Sequence, residues 1–84
     1  MQEKKAEITY PTKWKYTIIG RDKSKIEDVV KEVMKDKKHT CTFSKTSKNG
    51  KFHSYNLECN VDSKEERDRI YKEINDSKDI DYLF

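Results

Sequence analysis

Two copies of one short motif constrain the fold of this chain more than any other feature. Ser24-Lys25-Ile26-Glu27 and Ser63-Lys64-Glu65-Glu66 both match the S-x-x-E capping box. In this box the serine side chain accepts from the backbone N–H three residues on, and the glutamate reaches back to the serine N–H. Each box precedes an amphipathic run that lies between two strand-like segments. The pattern therefore predicts two β-α-β units in tandem.

The first unit begins with a strand from Trp14 to Ile19, in which apolar and polar residues alternate before Gly20 ends it. Ser24 is expected to cap the first helix. An apolar stripe at i, i+3, i+4, i+7 and i+8 follows, made of Ile26, Val29, Val30, Val33 and Met34. The helix is expected to end in the lysine-rich segment 35–38, because cations favour the carboxyl end of the helix dipole.

A hairpin is predicted next, with strands from His39 to Thr46 and from Phe52 to Val61. A two-residue Asn49-Gly50 loop would mix apolar and polar residues on both faces. A three-residue loop over 48–50 places Phe43 opposite Tyr55 and Cys41 opposite Leu57, so that one face is apolar. Because a buried face selects the register, we predict this longer loop, with a type I turn and Gly50 left-handed in a G1 bulge.

The second unit contains a helix capped by Ser63 and a short final strand. Arg67, Ile70, Tyr71 and Ile74 are expected to face or flank the core, and the helix should end within 75–77. In the strand from Ile80 to Phe84, alternation places Ile80, Tyr82 and Phe84 on one face, with Asp81 and Leu83 on the other.

The predicted fold class is α+β, a ferredoxin-like βαββαβ sandwich. Right-handed crossovers give a four-stranded antiparallel sheet of order 4-1-3-2, with both helices on one face. A chain of 84 residues makes one domain, assigned here to residues 10–84, with residues 1–9 as a flexible polar lead-in.

The sheet face without helices is predicted to be polar and rich in hydroxyl groups. It contains a candidate interaction set of Lys15, Thr17, Thr42, Ser44, Phe52, Ser54 and Asn56, and the alternation also assigns Thr46, Asp81 and Leu83 to it. Such a face suits docking of another protein, or is simply solvated. RNA binding is a weaker alternative, because Phe52 is the only aromatic residue predicted there and RNA-recognition domains stack bases on several.

A second candidate site is the loop between the first strand and the first helix. Gly20, Arg21, Asp22 and Lys23 form this loop, and helix N-termini with their entry loops bind anions and carboxylates. A small effector molecule is the expected ligand. The alternative is that the glycine only permits the turn.

The chain offers little that suits catalysis. His39, Cys41 and Cys59 share a face in the chosen register, but their spacing matches no closed metal motif, and buried cysteine behaves as a small hydrophobic residue. Gly20 and Gly50 are too far apart for a phosphate loop. We therefore predict no catalytic residue, no metal site, no cofactor and no enzymatic activity.

Composition limits the partners and the location. Net charge is +3, from 19 basic and 16 acidic residues that are interspersed, which does not favour nucleic acid. No apolar run is long enough to span a membrane, and the N-terminus lacks the apolar stretch of a signal peptide. A cytoplasmic location, with Cys41 and Cys59 reduced, is the expectation.

The chain resembles the YbeD-like family of short bacterial proteins over Tyr10 to Phe84. The similarity depends on Tyr10-Pro11-Thr12 before Trp14-Lys15-Tyr16, on Ile18-Ile19-Gly20, on Ser47-Lys48-Asn49-Gly50-Lys51-Phe52-His53-Ser54 and on the ending Ile80 to Phe84. The resemblance implies a ferredoxin-like domain similar to ACT regulatory domains, with Gly20 at the position near which ACT domains bind amino acids. It also implies a regulatory role, associated with lipoate metabolism through gene proximity.

The sequence therefore favours a small non-catalytic regulatory domain that senses a metabolite at the Gly20 loop. The alternative is a protein-interaction module that uses the open sheet face. A homodimer is compatible with both.

Overall fold

The computed structural model describes residues 9–84, so the predicted lead-in lies almost wholly outside the described residues. The elements are β1 (Thr12–Gly20), α1 (Lys23–Met34), β2 (His39–Thr46), β3 (His53–Val61), α2 (Lys64–Asn75) and β4 (Tyr82–Leu83). This is the predicted βαββαβ order. Neither α1 nor α2 is long and apolar enough to cross a bilayer.

The four strands form one antiparallel sheet of order β2-β3-β1-β4, which confirms the predicted topology. β1 and β3 pair over their full length, from Thr12 opposite Val61 to Gly20 opposite His53. β4 covers only the carboxyl end of β1, where Ile18 lies opposite Leu83. The long strands β1 and β3 are therefore central, and β2 is an edge.

The core lies between the sheet and the two helices. Fully buried side chains come from both layers: Ile18, Leu57 and Val61 from the sheet, and Ile26, Val30, Ile70 and Ile74 from the helices. The predicted apolar stripe of α1 is confirmed, with Val33 at its edge. Because each strand buries alternate residues against the helices, the other residues of β1 and β3 face away from this core.

The capping box of α2 is confirmed, with one difference. The Ser63 hydroxyl accepts from the Glu66 N–H at 3.1 Å, but Glu66 Oε1 accepts from the N–H of Asp62, at 2.7 Å, and not from that of Ser63. The Asp62 N–H and the Lys37 ammonium group hold the pKa of Glu66 below its usual value. The carboxylate thus stabilises the entry to the helix as an anion.

The predicted cap of α1 is wrong. The N-cap is Asp22, whose Oδ1 accepts from the Lys25 N–H at 3.2 Å, and Ser24 lies inside the helix. Glu27 does not reach back to the helix start, because its Oε2 accepts from the Tyr55 hydroxyl at 2.6 Å. A contact with β3 therefore uses the carboxylate that the local motif would need.

The hairpin register is confirmed for its outer part and differs near the turn. Phe43 lies opposite Tyr55, with ring centroids 5.5 Å apart, and Gly50 is left-handed with φ 75°. The register shifts by one residue at Ser44, and the Ser47 N–H donates to the Phe52 carbonyl across a four-residue loop. The bulge lies in β2 and not beside the glycine, so the predicted G1 bulge is wrong, and β3 begins at His53.

The predicted faces of the final strand are wrong. Leu83 lies opposite Ile18 and is only 7% exposed, while Tyr82 lies opposite Ile19 and is 54% exposed. Ile80 is buried as predicted, but from the loop before β4. The Asp81 N–H donates to the Ile19 carbonyl at 2.8 Å, one position out of the ladder register. This irregularity puts both Ile80 and Leu83 on the core side.

Candidate functional site

The Gly20 loop is held by contacts within the chain. A β-carbon on Gly20 would lie 2.7 Å from the Asp79 carbonyl oxygen, so the backbone of this loop packs directly on the segment before β4. The Asp22 carboxylate accepts one of the free N–H groups of α1. It therefore takes a position at the helix start that an anionic ligand would otherwise occupy.

The charged residues of the loop diverge. Arg21 turns to the open face, where its Nε lies 3.7 Å from Asp81 Oδ1 and its guanidinium group 5.6 Å from the centre of the Phe52 ring. Lys23 Nζ lies 4.5 Å from the centre of the Phe43 ring, which belongs to the helix side of β2. The four predicted ligand residues thus do not converge on one point.

A shallow cavity of about 260 Å³ adjoins the same loop. It is lined by Arg21, Asp22, Lys25, Lys78, Asp79 and Asp81. Its lining contains three basic and three acidic residues, so its formal charge is balanced and not anion-selective.

The open face contains an aromatic cluster close to Arg21. The rings of Phe52 and Tyr82 meet edge to face with centroids 5.9 Å apart, and Lys51 Nζ lies 5.6 Å from the Phe52 centroid. Ile19, opposite Tyr82 in the ladder, adds an aliphatic side chain. We call Ile19, Arg21, Lys51, Phe52 and Tyr82 the Phe52 patch. It joins one residue of the predicted ligand loop to one of the predicted interaction face.

Sequence reasoning missed Tyr82 because it assigned that residue to the buried face. The available signal was Leu83, an aliphatic residue assigned to a polar face beside Thr17 and Ile19. Exchanging the two faces of β4 buries the leucine and exposes a tyrosine whose hydroxyl group tolerates water.

The remainder of the open face is polar, as predicted. Lys15 lies opposite Glu58, Thr42 opposite Asn56, and the Thr17 hydroxyl is 3.5 Å from Asn56 Oδ1. Ser54, which lies opposite Ile19 and Lys45 near the hairpin, is buried.

The shifted hairpin register changes the assignments of Ser44, Lys45 and Thr46 on this face. Ser44 is the bulged residue, so Lys45 faces the open side and Thr46 lies on the helix side, where its hydroxyl is 2.9 Å from His53 Nδ1. Leu83 leaves the open face for the core. Among residues 9–84, cations outnumber carboxylates on the corrected face: Lys13, Lys15, Arg21, Lys45 and Lys51 against Glu58 and Asp81.

The two cysteines lie on the helix side of the sheet. Burial raises the pKa of both thiols, and the nearby Glu27 carboxylate raises that of Cys41 further. His39, opposite Cys59, places its Nδ1 2.8 Å from the Lys37 carbonyl oxygen. Within residues 9–84 no three histidine, cysteine or acidic side chains are grouped closely enough to hold a metal ion.

Comparison with known proteins gives consistent matches along the chain. The family model described as "Protein of unknown function (DUF493)" matches residues 5–84. The uncharacterized protein Cj0253 of Campylobacter jejuni is 32% identical over 72 residues, covering 86% of this chain and 83% of the relative. An uncharacterized protein of Helicobacter pylori is 34% identical over 73 residues, covering 84% and 83%.

The solved structures agree with the topology. A solution structure of HP0495 from Helicobacter pylori has a TM-score of 0.82 and 29% identity, covering 96% of this chain and 89% of the other. A second solution structure of HP0495 gives a TM-score of 0.69, covering 99% and 96%. The similarity thus includes the whole sheet and both helices.

Proposed function

This chain belongs to the DUF493 family of YbeD-like proteins, and we propose that it is a non-catalytic regulatory domain that acts by binding another protein through its Phe52 patch. The observation that carries the proposal is the contact between Phe52 and Tyr82 on the sheet face that neither α1 nor α2 covers. Exposed aromatic residues beside arginine are the usual anchors of protein interfaces, because they bury a large area with little loss of side-chain entropy.

Charge indicates the chemistry of the partner surface. Arg21 and Lys51 both lie beside the Phe52 ring, and among residues 9–84 only Arg21 of these two has a nearby carboxylate, that of Asp81. An acidic surface that presents an apolar side chain complements this arrangement, since opposite potentials steer association and fix its orientation. The partner is therefore a protein segment with acidic residues around an apolar anchor.

The non-catalytic part of the proposal is supported by the thiols. Nucleophilic cysteines are exposed and have a lowered pKa, whereas Cys41 and Cys59 lie on the core side and have raised values.

Affinity capture from extracts of the source organism, followed by quantitative mass spectrometry, tests the proposal. We expect one or a few proteins to be retained by the wild-type chain and lost with Arg21→Glu and with Phe52→Ala. Glu32→Lys, on the exposed surface of α1, is the control and should retain them. Equal recovery with all variants overturns the use of the patch, and nuclease-sensitive recovery would reassign it to RNA.

A metabolite-sensing role is the second candidate, favoured by the mixed-charge cavity beside the Gly20 loop. A lining with three basic and three acidic residues suits a zwitterion such as an amino acid. A thermal-shift screen with amino acids, lipoate and its precursors should then raise the Tm, since a ligand at 100 times its Kd adds about 2.7 kcal/mol. Lys25→Ala and Asp79→Asn should remove the shift. Unchanged Tm values throughout the screen contradict this role and leave the Phe52 patch untouched.

A further inference from the structure

The outer edge of β1 is paired along only part of its length by the described residues. β3 pairs with β1 from Thr12 to Gly20 on one side. On the other side β4 pairs with Ile18 and Ile19, and Thr17 exchanges two backbone hydrogen bonds of 2.9 Å with Phe84. Nothing within residues 9–84 continues this ladder toward the start of β1.

The direction of the remaining backbone groups follows from the strand itself. Successive residues of an antiparallel strand send their N–H and C=O groups to opposite neighbours. Because those of Thr17 point to the β4 side, those of Lys15 and Lys13 point the same way. The backbone groups of these two lysines have no backbone partner among the described residues, and their spacing is one repeat of a β-ladder.

An aromatic groove runs along the helix side of this edge. The groove has a volume of about 300 Å³ and is lined by Trp14, Tyr16, Arg67, Asp68, Tyr71 and Phe84. The Arg67 guanidinium group stacks on the Trp14 ring at 4.5 Å and is largely buried, so it forms part of the groove wall. The Tyr71 hydroxyl donates to the Leu83 carbonyl at 3.3 Å, which fixes the helix against β4.

The open-face side of the same edge is basic. Lys13 and Lys15 alternate with Trp14 and Tyr16, so their side chains lie on the opposite face from the groove, and both are exposed. A strand placed against this edge would therefore have one set of alternate side chains at the aromatic groove and the other set beside two lysines.

We propose that the outer edge of β1 at Lys13–Lys15 binds an extended segment of another protein by strand addition, in line with β4. The segment alternates apolar residues, which enter the groove, with acidic residues, which lie beside the lysines. A second copy of β1 does not fit this edge, because antiparallel pairing would bring lysines together and like charges opposite one another are unfavourable. This site lies toward the other end of β1 from the Phe52 patch and does not depend on it.

A designed peptide pair tests the inference on the full chain. One short peptide alternates glutamate with valine, and the control replaces each glutamate with lysine. Amide hydrogen exchange and chemical shifts are followed by NMR at about 1 mM peptide, a concentration that detects weak complexes. We expect the acidic peptide to slow exchange of the Lys13 and Lys15 amides about tenfold or more. The Trp14 and Tyr16 amides, which point to β3, should change little.

A charge exchange separates this site from the Phe52 patch. The double variant Lys13→Glu/Lys15→Glu should bind the acidic peptide about tenfold more weakly than the wild type does. It should bind the basic peptide more tightly, because rim charges set partner choice. Phe52→Ala should bind the acidic peptide as the wild type does. The inference is overturned if the acidic peptide gives no response, if it binds without protecting the two lysine amides, or if the charge exchange has no effect.

Discussion

Gly20 and Asp79 are in such close contact that a β-carbon at position 20 would lie 2.7 Å from the Asp79 carbonyl oxygen. The same carbon would lie 3.0 Å from the Ile26 side chain in the first turn of α1. Glycine is therefore required where the loop before α1 packs on the loop before β4. This contact joins the two β-α-β units, and it explains the glycine by packing without any ligand.

Replacing Gly20 by alanine should destabilise the fold by about 1–3 kcal/mol, the usual cost of overpacking against backbone. Urea unfolding followed by circular dichroism measures the change. Gly50→Asn is the matched control, because Gly50 has open space around it and a φ of 75° that asparagine tolerates. Wild-type stability of Gly20→Ala would show that the loop can move away from Asp79.

Alanine should destabilise the protein at the two helix caps, Asp22 and Ser63, but not at Ser24. Asp22→Ala and Ser63→Ala should each cost about 0.5–2 kcal/mol, because each leaves a helix N–H without its acceptor. Ser24→Ala should be nearly neutral, since Ser24 lies within α1 and alanine is the better helix former. A Ser24→Ala cost as large as that of Asp22→Ala would restore Ser24 as the cap.

Lys35 ends α1 with φ 51° and ψ −114°, a conformation that side chains rarely adopt. Lys35→Gly should stabilise the protein by about 1 kcal/mol, because relief of this strain exceeds the added flexibility of the unfolded chain. Lys35→Ala keeps the β-carbon and should give no such gain. Thermal unfolding of the wild type and the two variants measures the change in stability. Equal gains in stability from glycine and alanine would contradict the strain argument.

Tyr55 predicts a loss of stability at alkaline pH. Burial and the hydrogen bond to Glu27 raise the pKa of Tyr55 to about 12, above its value near 10 in the unfolded chain. The folded state therefore keeps the Tyr55 proton to a higher pH than the unfolded chain does. The resulting contribution to stability is complete below pH 10 and is lost as the pH rises through 12.

Urea unfolding between about pH 9 and 12 measures this effect, over the interval that the two pKa values set. Tyr55→Phe should show a shallower fall than the wild type. Some fall should remain, because burial also raises the pKa of Tyr16. If the free energy of unfolding falls equally steeply with pH in the two proteins, the ionisation of Tyr55 is not linked to folding.

Sequence patterns that span whole strands predicted the fold. A short motif failed where a contact with a residue distant in sequence determined the local structure. The register of Phe43 with Tyr55 followed from predicted strands of eight and ten residues with one buried face. The box at Ser24 failed because Glu27 accepts from Tyr55, a residue 28 positions away. A four-residue motif contains no information about that neighbour, and Asp22, two residues earlier, was an equally suitable cap.

The candidate site was only partly accessible to sequence reasoning for a similar reason. Phe52 and Arg21 were both identified, but in separate sites, because nothing local relates a hairpin residue to a β1–α1 loop. Tyr82 was missed because β4 has two residues and an irregular hydrogen bond at Asp81, so strict alternation gave the wrong face. The Phe52 patch forms only when the fold brings together three segments that are distant in sequence: the end of β1 with its following loop, the hairpin loop and β4.

Photo-crosslinking in cells of the source organism tests most directly whether the Phe52 patch binds a protein. A benzoylphenylalanine residue is placed at Phe52 or, as the control, at Glu32 on α1, each with and without Arg21→Glu. We predict one discrete protein adduct from position 52 that Arg21→Glu removes and that position 32 never forms. No adduct at position 52, or the same adducts at both positions, would contradict the account.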